Sequence, residues 1–319
     1  MPDELRGRLG SEYAPHPFAL CPLDHTEGNV VRGQPIAFSI TMFGRGISYF
    51  PFLLTAFEEL GCRGLGADRL PFRLETVTDS LHENSRLLFD PAEHRVLGSP
   101  IVRDLRQMSE NAARDRLAGA EGPVDVRVRF LSPTHLVRGG QSLFEPDLDA
   151  LLAALHRRFE AFTLLHGEGP AAWDDSEAQD PPDPASMGWE RARVSIGAEP
   201  FQEFGDTVAV LPWEWDLSRG TRVGDSRALR NAVSEVESDT SRLEWVDWDR
   251  VSNRQGRHVP MGGVIGDALY RGAPAECLPW LMAGQWTLAG KATVFGMGRY
   301  LADLEPAPHD WGVADSGRL

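Results

Sequence analysis

Hydrophobic and polar positions alternate and recur along the chain in ways that predict a run of short strands and two strong helices. In VVRGQPIAFSITMF (30–43) Ile36, Phe38 and Ile40 alternate with polar neighbours, the period of a half-buried strand. Next, Phe50, Leu53, Leu54, Phe57 and Leu60 recur at helical spacing, and Gly61 is the predicted stop. LPFRLETV (70–77) and Ser85 to Leu88 read as further short strands, and residues 101–119 as a charged, helix-prone connector.

The pattern then starts afresh. Val124, Val126, Val128 and Phe130 share one strand face up to a break at Ser132-Pro133. Leu148, Leu151, Leu152, Leu155, Phe159 and Phe162 form one helical stripe. Residues 242–251 and 258–270 read as a hairpin, CLPWLMAGQWTLAG as a short helix and turn, and KATVFGMGRYLAD (291–303) as a final strand. Strand, helix, hairpin, helix, strand is the ferredoxin-like β-α-β-β-α-β order, so the predicted class is α+β. The expected domains are 1–119, N-terminal domain and connector, and 120–304, followed by a tail, 305–319.

Between the second helix and the hairpin lies a proline-bearing stretch, about 171–240, in which VAVLPWEW reads as an extra strand and SRALRNAV as a short helix. It holds 6 basic and 15 acidic side chains, more than half of the net charge of −15. The deficit therefore reads as a solvated insertion rather than as a property of any binding face. Hydrophobic residues at 42% and charged residues at 25% are ordinary for a folded protein. Apolar runs such as 47–54 fall far short of the roughly 20 residues that cross a bilayer. The N-terminus lacks the apolar block of an export signal, so a cytoplasmic protein is expected. Cys21, Cys62 and Cys277 have no neighbours at ligand spacing, which suggests neither disulfides nor metal, and no cofactor is expected.

Two glycine-bearing turns concentrate positive charge. The first, Ser252 to His258, carries Arg254, Arg257 and His258, able to grip phosphate and offer an imidazole. The second has Lys291, the chain's single lysine, and Arg299 flanking a segment with Gly290, Gly296 and Gly298, where backbone can approach a phosphate. It is not a Walker loop, because the lysine precedes the later glycines. Arg138 in LVRGG is a further exposed cation. Trp245 and Trp248, three apart on a predicted strand, point to opposite faces, so at most one stacks on a base. His16, His25 and His135 lie near turns and read as structural.

Four segments in this order, GRGISYFPFLLTAFEELGCRGLG, VRVRFLSPTHLVRGG, SNRQGRHVPMGGVIGDALYRG and GQWTLAGKATVFGMGRY, resemble the CRISPR-associated RAMP endoribonucleases that trim precursor crRNA within its repeats. The resemblance implies tandem ferredoxin-like (RRM-like) domains, binding of repeat RNA, and metal-independent cleavage. In such cleavage the RNA 2′-hydroxyl is the nucleophile and a 2′,3′-cyclic phosphate is left. Relatives begin with a strand and a glycine-bearing helix ahead of the segment matched here at His16. Only fifteen residues precede it, so the first domain is expected to lack those elements, and the family's early catalytic histidine has no matching position.

His258 is then the candidate catalytic group. Arg138, Arg254, Arg257, Gly290, Lys291, Gly296, Gly298 and Arg299 are the candidate RNA-binding residues. Three readings stand at this point: a crRNA-processing nuclease of antiviral defence, a non-catalytic crRNA-binding subunit of an effector complex, and an acidic protein-interaction module.

Overall fold

The computed structural model describes residues 15–22, 33–66, 68–79, 86–120, 122–166, 232–252 and 257–305. The two elements expected within the acidic stretch, at 208–215 and 226–233, lie essentially outside these residues, as does the tail beyond 305. In chain order the elements are β1 (Phe18–Pro22), β2 (Phe38–Met42), a 3-10 stretch (Gly44–Tyr49), α1 (Phe50–Arg63), β3 (Val77–Asp79), β4 (Arg86–Asp90), β5 (Arg95–Val96) and α2 (Leu105–Arg116). There follow β6 (Val124–Thr134), β7 (Val137–Arg138), β8 (Gln141–Ser142), α3 (Leu148–His166), β9 (Glu237–Ser252), β10 (Arg257–Ala273), α4 (Leu278–Thr287) and β11 (Tyr300–Leu304). These pack as two compact units, residues 43–103 with 163–210, and residues 1–42, 104–162 and 211–319.

In the smaller unit, Pro51 in the first turn of α1 supplies a preset φ where no intrahelical N–H bond is required. The helix does not stop at Gly61 as expected. It runs to Arg63 and ends at Gly64, whose φ of 82° places it in left-handed space. Gly61 serves close approach instead: a Cβ there would stand 2.4 Å from the Phe72 carbonyl oxygen. The strand expected over 70–77 is replaced by a single Leu65–Leu70 bridge and an irregular run to β3. Pro71 has no N–H to offer a ladder, and Phe72 donates its own to Gly61. β3, β4 and β5 form a small antiparallel sheet.

In the larger unit, β6, β9, β10 and β11 form one antiparallel sheet in the order β11-β6-β10-β9. Counting the strands of the β-α-β-β-α-β run from one to four, this is the order 4-1-3-2: a hairpin at one edge and two helical crossovers returning over one face. Val126, Val128 and Phe130 of β6 are buried with Val264, Ala268, Tyr270, Tyr300 and Ala302 beneath α3, which contributes Leu148, Leu151, Leu155, Phe159 and Phe162. α4 is buried nearly all round because it lies between β11 and α2. Each fully buried phenol finds a carbonyl, Tyr270 donating to Pro146 (2.9 Å) and Tyr300 to Leu281 (2.8 Å).

β6 does not break at Ser132-Pro133 but continues to Thr134. A register shift opposite Val264–Gly266 leaves Pro133 out of the ladder with β10, where its missing N–H does no harm. The hairpin is longer than the alternation suggested, β9 starting at Glu237, inside the stretch first read as insertion. β1 and β2 form a separate two-stranded ribbon that packs on residues 293–295 and on α4 of this same unit. Among the described residues the N-terminal strands thus fall in two sheets, not one.

Candidate nucleic-acid interface

Several charges on the sheet face away from the helices are paired within the protein. Arg127 makes a two-armed pair with Glu305 (2.8 Å each), Arg129 pairs with Asp267 (2.9 Å), and Arg116 with Asp303 (3.3 Å). Arg116, Arg127 and Arg129 are thereby committed to carboxylates of the protein itself.

Residues 288–299 cross the end of the sheet where β6 gives way to the β7–β8 turn, as a folded turn. The strand expected from Lys291 begins only at Tyr300, and Thr293–Phe295 is a 3-10 turn between the left-handed Ala292 (φ 59°) and Gly296 (φ 81°). The glycines serve the turn's own packing. A Cβ on Gly290 would lie 2.4 Å from the His135 carbonyl oxygen, and one on Gly298 1.9 Å from that of Ala289. The amides of Lys291, Phe295, Gly296 and Gly298 donate to the carbonyls of His135, Ala292, Thr293 and Pro133, and that of Arg299 to the Ser132 hydroxyl. The backbone expected to cradle a phosphate is therefore largely engaged within the protein. What the turn presents outward is the exposed Lys291 side chain, which has no carboxylate at ion-pair distance among the described residues.

The hairpin meets this turn. Arg250, opposite Val259 near the end of β9, lays its guanidinium 4.4 Å from the centre of the exposed Phe295 ring, and its Nε is buried without a hydrogen-bond partner. Of the expected cluster, Arg254 lies outside the described residues. Arg257 opens β10 opposite Ser252, and His258 follows, exposed, with Nδ1 3.9 Å from Asp249 Oδ2. Strand alternation puts His258 on the hairpin face opposite Arg250, together with Asp249 and Asp247. The two tryptophans separate as expected, Trp245 opposite Val264 and Trp248 opposite Met261, with Trp248 40% exposed.

Arg138 is not a free cation. It holds Asp147 through two bonds (2.8 and 2.6 Å) and Asp149 through a third (3.0 Å). Asp147 also accepts from the Ala150 amide (2.8 Å) and so caps α3. Partial burial pushes the Asp147 carboxyl up, but the Arg138 pair and the Ala150 amide outweigh it and hold it below the usual range.

His135, read from sequence as structural, stands at the centre of this end. Its Nε2 is 2.9 Å from Ser142 Oγ, and its ring meets Trp245 edge-on at 5.4 Å. Burial, and then the Lys291 ammonium, hold its imidazole below the usual histidine range. Phe144 also packs on Trp245, at 4.5 Å, and the Trp245 indole N–H donates to Asp247 Oδ1 (2.8 Å). Arg250, Phe144 and Phe295 were not singled out in the sequence. Nothing in their spacing marks them, since the fold alone brings Arg250 to Phe295 and Phe144 to Trp245.

No helix among the described residues is long and apolar enough to cross a membrane, and no group of three or more metal-ligating side chains occurs among them. Solved structures similar to the chain include a Cas6 product complex (18% identity, TM-score 0.46, covering 94% of this chain and 87% of that one). Others are Thermus thermophilus Cas6 (14%, 0.42, 94% and 84%) and a partial Cas6-RT-Cas1–Cas2 complex (12%, 0.42, 97% and 43%). Among functionally curated proteins none is similar enough to count as a match. A family model described only as an N-terminal domain matches residues 3–101. The model of the CRISPR-associated endoribonuclease Cas6 matches residues 128–300, more than half of the chain, and the chain belongs to that family of repeat-RNA-processing endoribonucleases.

Proposed function

We propose that this chain binds CRISPR repeat RNA at the end of the β11-β6-β10-β9 sheet and cleaves it without a metal ion through the RNA 2′-hydroxyl. The observation that carries the site is the contact between β9 and the glycine-bearing turn, Arg250 lying over Phe295. In this reading Lys291 and Arg257, with Arg254 and Arg299, hold the phosphates. His258 takes the 2′-hydroxyl proton, the 2′-oxygen attacks the adjacent phosphorus, and the 5′-oxygen leaves with a proton, so that a 2′,3′-cyclic phosphate forms. Arg138 is left out of the phosphate set, because three hydrogen bonds already commit its guanidinium.

The test is incubation of repeat RNA with the protein in excess chelator, followed by analysis of the new 3′ end. A cyclic phosphate supports the nuclease, and removal of His258 should slow the cut 10²- to 10⁴-fold. Lys291→Ala combined with Arg257→Ala should weaken binding; unchanged affinity rejects the surface.

One observation favours a second reading, a non-catalytic crRNA-holding subunit. His258 shares its hairpin face with Asp247 and Asp249, which repel a scissile phosphate. Tight, salt-sensitive binding without a cut would establish it. Failure to bind at low salt would leave the protein-interaction module.

The same proposal takes residues 1–119 and 120–304 as tandem ferredoxin-like domains, supported in the second by its 4-1-3-2 sheet. Work in the cytoplasm beside other CRISPR effector subunits fits this reading.

A further inference from the structure

Resting on the RNA-binding reading above, we infer that Phe144, Trp245 and Asp247 form a subsite for one unpaired base of the RNA, with guanine the best fit. Phe144 lies in the loop between β8 and α3 and is 58% exposed, although that loop is firmly held. Leu143 donates to the Leu136 carbonyl (3.0 Å), and the Pro146 carbonyl accepts from the Tyr270 hydroxyl. A large apolar ring kept outward by a fixed backbone is a stacking surface, and every nucleobase has a face to lay on it.

Trp245 backs this ring at 4.5 Å with the planes tilted by 46°, and His135 backs the indole in turn. The Trp245 N–H fixes the Asp247 carboxylate through Oδ1. Gly262 on the paired strand makes room for both: a Cβ there would stand 2.4 Å from Asp247 Oδ1 and 2.9 Å from Trp245 Cζ2. An ionised carboxylate only accepts hydrogen bonds, so beside a stacking ring it selects a base whose edge donates. Guanine offers two adjacent donors there, N1–H and N2–H.

Phosphate binding is provided nearby, since the backbone of Lys291 is bonded to His135, the residue that backs the indole. The remaining charge on this strand face, Asp247 and Asp249, disfavours phosphate but suits a base edge.

The test is abasic scanning. A synthetic repeat RNA carrying one abasic site at each position in turn is titrated against the full-length protein and against Phe144→Ala. With the wild type, loss of one particular unpaired base should weaken binding about tenfold. With Phe144→Ala that penalty should vanish at that position and persist elsewhere, while Phe144→Trp should restore it. Asp247→Asn should abolish the preference for guanine over the other bases at that position. Phe144 is exposed, so its removal leaves the core untouched. Identical scanning profiles for wild type and Phe144→Ala would overturn the subsite while leaving RNA binding itself standing, the result expected if this face docks a protein. Failure of the wild type to bind any of the RNAs at low salt would overturn both.

Discussion

Replacing Gly298 by alanine tests whether the glycine-bearing turn is held by the close packing described above. Gly298 has φ +84°, and its new Cβ would stand 1.9 Å from the Ala289 carbonyl oxygen and 2.8 Å from the Ala289 nitrogen. The left-handed backbone alone costs alanine about 1–2 kcal/mol. Relieving the overlap requires opening the Ala289 N–H to Gly298 carbonyl bond (2.9 Å) and the Gly298 N–H to Pro133 carbonyl bond (3.1 Å), each worth about 1 kcal/mol. The expected destabilisation is about 3–4 kcal/mol. Urea unfolding of Gly298→Ala beside Gly140→Ala separates the terms, because Gly140 has nearly the same φ (+83°) and nothing within 4 Å of the added carbon. Gly140→Ala should cost only the backbone part. If the two variants unfold alike, the packing account of the turn is wrong.

Lys291→Ala should weaken repeat-RNA binding similarly across sequences and reduce the slope of log K against log salt by about 0.7–0.9, the signature of one lost phosphate contact, read by titration at several salt concentrations. Arg138→Ala should leave that slope unchanged and cost about 0.5–1 kcal/mol in urea unfolding, since its half-exposed pairs are intramolecular. The His135 imidazole is held below its usual value, so between that lowered value and about pH 6.5 the unfolded chain binds more protons than the folded one. Stability should therefore fall as pH drops through this window, and His135→Gln should flatten that part of the curve measured from pH 7 to 5.

The C-terminal sheet was legible because its two periods are clean: Val126, Val128 and Phe130 alternate, and Leu148 to Phe162 recur as a stripe, and each pattern has one solution for burial. The glycines were harder. Gly61 and Gly64 differ in backbone conformation and in what approaches them, which spacing cannot reveal, and the final strand failed because the segment before Tyr300 is a turn bonded through Lys291 and Gly298 to the carbonyls of residues 135 and 133. Arg138 looked free because its partners Asp147 and Asp149 belong to the next element. The Arg250–Phe295 contact between β9 and the glycine-bearing turn had no signature along the chain. His135 likewise gained its surroundings only from folding.

Asp147 fastens two things at once, the start of α3 and the tip of the β7–β8 turn. Residues 138–147 are consequently a closed span, clamped by a guanidinium at one end and a helix cap at the other. Ordering such a span happens when the protein folds, and little conformational freedom remains to be surrendered when a ligand arrives. Association at this edge should then be governed by encounter rates, with small rearrangement in the loop itself.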